Sequence, residues 1–238
     1  MFRVNRAVVA PVLAEFVGTG VLVMVALILG QTTAVSYFIA TSLAVAAAAV
    51  YLVFSGVSGA HANPAITFGM WTARRIGTLR AITYVAAQLL GGVIAWQLFQ
   101  YLTNHALPAK PVTFSTPVWL AEVVGTGVLA LAFTAALNRG VEALNSAVSV
   151  GAAYFVGILI AATASSGYIN PAIALGSRSW SAAYVLGPLV GGLVGVNLYH
   201  YFFSDTFGLR TAGAVRSAGE VTVTRRTTAK RTTTRRRR

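Results

Sequence analysis

The 238-residue chain contains no cysteine and few charges: 10% of its residues are charged and only five are acidic. Without cysteine, disulfides and thiolate metal sites are excluded, and the redox compartment stays open. A water-soluble domain of this length carries about a quarter charged residues. Too few remain here to cover a surface facing water. An enzyme reading also lacks support, because the chain offers no metal-ligand cluster, no nucleophile paired with a base and no phosphate-binding loop. No metal or other cofactor is implied.

What is abundant is apolar. Hydrophobic residues make up 56% of the chain, and its mean hydropathy is +0.72. They gather in six stretches, roughly 9–29, 36–56, 82–102, 118–137, 146–164 and 181–203. Each approaches the roughly 20 residues that a helix needs to cross about 30 Å of hydrocarbon. Glycine is frequent inside them, as in packed membrane helices. The fold class is an all-α polytopic membrane protein. The first stretch follows Arg3 and Arg6 and has the outline of a signal peptide. Cleavage there would remove one copy of the repeat described below, so a retained span is expected.

The net charge of +13 sits mostly in one segment. From Ser204 to Arg238 the apolar runs stop, and the chain ends in a basic cluster. Such a segment cannot bury a core and is expected to be disordered. Attraction to anionic lipid headgroups explains it better than nucleic-acid binding does. Six spans that start in the cytoplasm leave only Lys110 and Arg178 outside, a basic split of 16 to 2. That bias predicts both termini inside. Trp119 and Trp180 fall at span ends, where indole rings favour the interface.

The chain is also written twice. Asn63-Pro64-Ala65-Ile66 recurs as Asn170-Pro171-Ala172-Ile173, 107 positions on. The nine residues from Ala14 to Leu22 recur from Ala121 to Leu129 at the same offset, with eight identities. Tyr84 to Tyr101 matches Tyr184 to Tyr201, keeping Gly91-Gly92 against Gly191-Gly192 at an offset of 100. Each half holds three spans, an odd number, so the second copy lies inverted relative to the first. The Asn-Pro-Ala segments occupy the same gap in each half, and the stretches after them, 66–71 and 173–178, are too short to cross. Asn is a strong helix cap and Pro suits the first helical position. Two half-helices meeting N-terminus to N-terminus are predicted. Irregular backbone at membrane depth is tolerated only inside protein or beside a wet cavity, which points to a pore.

At these residues the chain resembles the aquaporin and glycerol-facilitator family, the major intrinsic proteins. The resemblance covers about residues 9–203 and rests on 14–19, Ser58 to Ala65, Ala121-Glu122 with Gly125-Thr126, and Ile169 to Ala172. It implies an aquaporin-like fold of six transmembrane helices and two re-entrant half-helices around one pore per subunit, and a homotetramer in the cell membrane. The channel domain would span 1–203, with repeats at about 9–102 and 118–203, and the cytoplasmic tail 204–238. Half-helix N-termini carry roughly half an elementary charge each, and such dipoles exclude protons and cations in aquaporin-type pores. Asn63 and Asn170 would offer amide donors to passing water. Glu15 and Glu122, the two acidic residues within the spans, are expected to brace the re-entrant loops rather than couple ions, and His61 to fix its loop.

The resemblance also places the selectivity filter at Leu43, Ile158, Gly167 and Ile173. Ile173 stands where the family usually has Arg, a fixed cation with five donors. Arg178, five residues on, is expected at the outer mouth or packed outward. An apolar filter leaves open whether the solute is water alone or also glycerol, urea or ammonia. The Asp usual in glycerol facilitators is replaced by Ala174, and the outer loops, 103–117 and 165–180, are short. A secondary transporter coupled through Glu15 or Glu122 and a non-conducting scaffold remain the competing classes.

Overall fold

The computed structural model describes residues 5–110, 113–138 and 142–204. These residues form eight helices: α1 Arg6–Thr32, α2 Ser36–Ser58, α3 Pro64–Thr72, α4 Thr78–Thr103, α5 Thr116–Asn138, α6 Ala143–Ala161, α7 Pro171–Gly176 and α8 Ala182–Phe202. Six of them are long and apolar enough to cross a membrane. The exceptions are α3, with nine residues, and α7, with six. Together they rise about 23 Å at 1.5 Å per residue, which leaves the loops before them to complete a crossing.

The helices start and stop where hydrogen-bonding groups allow, and this shifts them from the apolar stretches. α1 begins three residues before the stretch, because Asn5 Oδ1 accepts from the Ala7 amide at 3.2 Å and caps it. α6 stops at Ala161, three residues short of its stretch, where Ala164 and Ser165 N–H both return to the Ala161 carbonyl. The half-helices start as predicted. Asn63 and Asn170 sit at the caps in extended conformation, with Pro64 and Pro171 in the first turn. α7 closes at Gly176, two residues before Arg178.

The long helices pack through close backbone contacts at glycines as well as through large buried side chains. Lipid offers little hydrophobic drive between helices, so close approach and dispersion carry the packing. α4 and α8 each hold the half-helix of the opposite repeat through a glycine. A Cβ on Gly92 would meet the Ala172 carbonyl of α7 at 2.9 Å, and one on Gly192 would land on the Ala65 carbonyl of α3. Gly92 and Gly192 are repeat mates, as are Ala65 and Ala172. Each half-helix is therefore seated in the partner repeat.

The described residues up to Tyr199 form one compact unit. Of the tail expected at 204–238, only Ser204 is among the described residues. Arg3 and Arg139, counted toward the charge bias, also lie outside them.

Gly192→Ala is expected to unseat α3, because the three nearest atoms all belong to the Ala65 backbone, which cannot step aside. The folded yield after detergent extraction should fall severalfold, and the thermal midpoint should drop. Gly56→Ala, where an added Cβ meets nothing within 4 Å, should leave both unchanged.

Candidate functional site: the asparagine junction

Asn63 and Asn170 meet at the centre of the unit, and both are fully buried. Each side chain works in two directions. Asn63 Oδ1 accepts from the Ala65 amide at 2.8 Å, while its Nδ2 donates across the repeat boundary to the Ile169 carbonyl at 2.9 Å. Asn170 Oδ1 accepts from the Ala172 amide at 2.9 Å, while its Nδ2 donates to the Ala62 carbonyl at 3.0 Å. A backbone N–H can only donate, so these contacts fix which amide atom is oxygen. One hydrogen on each Nδ2 is left to serve another acceptor.

The carbonyls that receive these bonds are aimed by strained backbone. Ala62 has φ +46° and Ile169 φ +44°, both left-handed and non-glycine. The conformation costs about 1–2 kcal/mol per residue and is a genuine outlier for a β-branched residue such as Ile169. The glutamates hold it. Glu122 Oε2 accepts from the Ile169 amide at 2.7 Å, and its Oε1 accepts from Tyr168 N–H at 3.0 Å and the Ser165 hydroxyl at 2.7 Å. Glu15 does the same for Ala62 at 2.7 Å, His61 at 3.0 Å and Ser58 at 2.6 Å. The sequence separations are 43, 46 and 47 in both halves. One folding instruction is executed twice.

The rest of each loop differs. In the first half Gln88 donates to Glu15 Oε2 at 2.7 Å and to Thr67 Oγ1 at 2.8 Å. Thr67 Oγ1 also lies 3.1 Å from His61 Nδ1. His61 is buried and stands edge-on to Tyr84 and Phe133. In the second half the counterpart of His61 is Tyr168, whose hydroxyl bonds Ser179 Oγ at 2.9 Å and whose ring packs on Tyr184 at 4.8 Å. Gln88 escaped the sequence reading because its repeat mate is Pro188. Periodicity alone marks it only as one more residue on the inner face of α4.

The four counted filter positions come together. Leu43, Gly167 and Ile173 line a cavity of about 480 Å³ that opens past Gln31, His105 and Lys110. Ile158 backs Gly167: a Cβ there would meet the Ile158 carbonyl at 3.1 Å and Cγ2 at 3.2 Å, and Gly167 has φ +66°. Leu43, Ile158 and Ile173 are each no more than 2% exposed, so these apolar side chains are packed at the wall of the cavity rather than free in it. Arg178 is turned away from Ile173. Its guanidinium stacks 4.2 Å from the Trp96 ring centre, and its Nε donates to the Leu107 carbonyl at 3.3 Å. Among the described residues no group of three or more His, Asp or Glu is arranged to hold a metal ion.

Residues 4–199 match the family model described as Major intrinsic protein. The chain belongs to the major intrinsic protein family. Curated relatives include Aquaporin PIP2-1 of Arabidopsis thaliana, 33% identical across 70% of this chain, and Aquaporin TIP1-1 of the same plant, 33% identical across 64%. The match spans about two thirds of each relative's length, 66% in both cases. Among solved structures, the aquaglyceroporin from Plasmodium falciparum superposes with TM-score 0.69 at 21% identity, covering 84% of this chain and 99% of that one. At that identity the likeness speaks for the fold, which is the aquaporin-like one of the family.

Because every partner of each glutamate is a donor, a side-chain amide in its place must turn an NH2 toward an N–H or O–H. Glu122→Gln should therefore destabilise the protein by about 2 kcal/mol, the range for losing a charge-assisted bond and leaving a buried donor unmet. Thermal unfolding in detergent reads this loss, and Glu15→Gln should show a loss in the same direction.

Proposed function

We propose that the chain is a passive membrane channel for water and other small uncharged solutes. The observation that carries this reading is the junction itself: two helix N-termini, each capped by an asparagine, converge at mid-depth and share hydrogen bonds. Each terminus contributes roughly half a positive charge, which opposes a cation or hydronium ion and is indifferent to a neutral molecule. The spare amide hydrogens of Asn63 and Asn170 give a passing oxygen atom an acceptor's place. Leu43, Ile158, Gly167 and Ile173 form the outer filter in this reading, and Glu15, Glu122 and His61 brace the loops.

The family supports a homotetramer, and the basic bias supports a cell membrane with both termini in the cytoplasm and the tail near anionic headgroups. The channel domain would end near residue 203. The apolar filter keeps a glycerol, urea or ammonia facilitator as the alternative within the same class. Transporter coupling is disfavoured because Glu15 and Glu122 are both consumed by loop donors.

Proteoliposomes mixed with an impermeant osmolyte in a stopped-flow instrument should shrink faster than empty liposomes, and an internal pH dye should report no added proton leak. Shrinkage at the rate of empty liposomes, with the oligomer intact, would favour the non-conducting scaffold. Glu15→Gln that folds normally and loses only proton-driven uptake would favour the transporter.

A further inference from the structure

One side chain at the junction belongs to neither the asparagine pair nor the counted filter. Tyr154 projects from α6 and is 3% exposed. Its hydroxyl lies against the side-chain amides of both Asn63 and Asn170, yet it makes no hydrogen bond to any protein group. A buried hydroxyl without a partner costs about 1–3 kcal/mol, a cost that the packing of its ring in the apolar core leaves unexplained. Ile158 is one helical turn further along the same face of α6. Tyr154 is therefore about 6 Å from Ile158 along α6, beside the asparagines.

Around that point three polar groups converge. Two are amide hydrogens left over after the cross-repeat bonds, and the third is a hydroxyl that both donates and accepts. The ring behind the hydroxyl is far larger than the leucine, isoleucines and glycine of the outer filter. We propose that Tyr154 is a specificity-determining residue of the pore. Its ring sets the width at the midplane, and its hydroxyl completes, with Asn63 and Asn170, a three-point hydrogen-bond site for one water-sized solute. Size exclusion then resides at the junction instead of at the apolar filter. This rests on the channel reading above and narrows it toward water over glycerol.

The experiment compares osmotic shrinkage with glycerol re-swelling in proteoliposomes of the wild type, Tyr154→Ala and Tyr154→Phe. Wild type should pass water and exclude glycerol. Tyr154→Ala should raise the glycerol-to-water permeability ratio by about tenfold or more, the low end of what a change in pocket fit produces. Tyr154→Phe keeps the ring, so it should still exclude glycerol while water permeability falls about fivefold for one lost hydrogen bond. If Tyr154→Ala does not reconstitute, Tyr154→Leu carries the same expectation as the smaller apolar side chain.

An unchanged ratio in folded Tyr154→Ala would overturn the assignment of width. Wild-type water flux in Tyr154→Phe would overturn that of the hydroxyl. A wild type that conducts nothing while Tyr154→Ala conducts would uphold Tyr154 as the constriction and sink the open-channel reading. Silence in all three would sink both.

Discussion

The structure depends on an exchange between two carbonyls. Ala62 and Ile169, each forced into the left-handed region, turn their carbonyls toward the asparagine of the other repeat. Neither carbonyl could be aimed this way by a relaxed backbone. The strain persists because a buried carboxylate holds the same residue's N–H from behind, Glu15 for Ala62 and Glu122 for Ile169. A line of bonded groups therefore runs from each long helix through its loop into the opposite half-helix. Cutting it at the glutamate frees the strained residue, and cutting it at the asparagine unpairs two repeats at once. Strain of about 1–2 kcal/mol per residue is affordable only when the surroundings over-determine it, and here they do.

Seating the half-helices needs a second condition, which is close backbone approach. Inside a membrane, α3 and α7 gain little from burying apolar side chains against apolar tails. Gly92 and Gly192 instead let α4 and α8 touch the carbonyls of Ala172 and Ala65. The same glycines appear in the sequence as a matched pair at an offset of 100. Duplication thus carries two kinds of information, polar bracing and backbone contact, and both converge on the first turn of each half-helix.

Much of this was legible because it was written twice. The offset of 107 aligns Glu15 with Glu122 and Asn63 with Asn170, and the glutamates then reach their loops at identical separations. What the repeat does not duplicate was harder to read. Gln88 faces Pro188 across the pseudo-symmetry, so it had no second copy to mark it, whereas His61, which faces Tyr168, was marked by the family resemblance instead. Tyr154 was invisible for another reason. It sits in an apolar helix where tyrosine normally packs, and only its orientation toward two asparagines distinguishes it from a core residue. Helix ends shifted for a similar cause. Hydropathy measures transfer into lipid, whereas Asn5 and the carbonyl of Ala161 decide where α1 starts and α6 stops.

The apolar wall at Leu43, Ile158 and Ile173 has an electrostatic consequence on the channel reading. There Ile173 takes the place of the family's usual arginine, Arg178 is stacked on Trp96, and the cation that lines the outer cavity among the described residues is Lys110. Beyond Lys110, rejection of cations must come from the half-helix termini and from dehydration at an apolar ring. The first acts at the asparagines, where buried surroundings keep the local dielectric low and make partial charges effective. The second acts earlier, at Leu43, Ile158 and Ile173, where an ion would shed water and find no replacement ligands. A small neutral solute sheds fewer and weaker bonds at that ring and recovers them at Asn63, Asn170 and Tyr154. The apolar filter and the polar junction thus divide the work, one penalising charge and the other rewarding the molecule that fits.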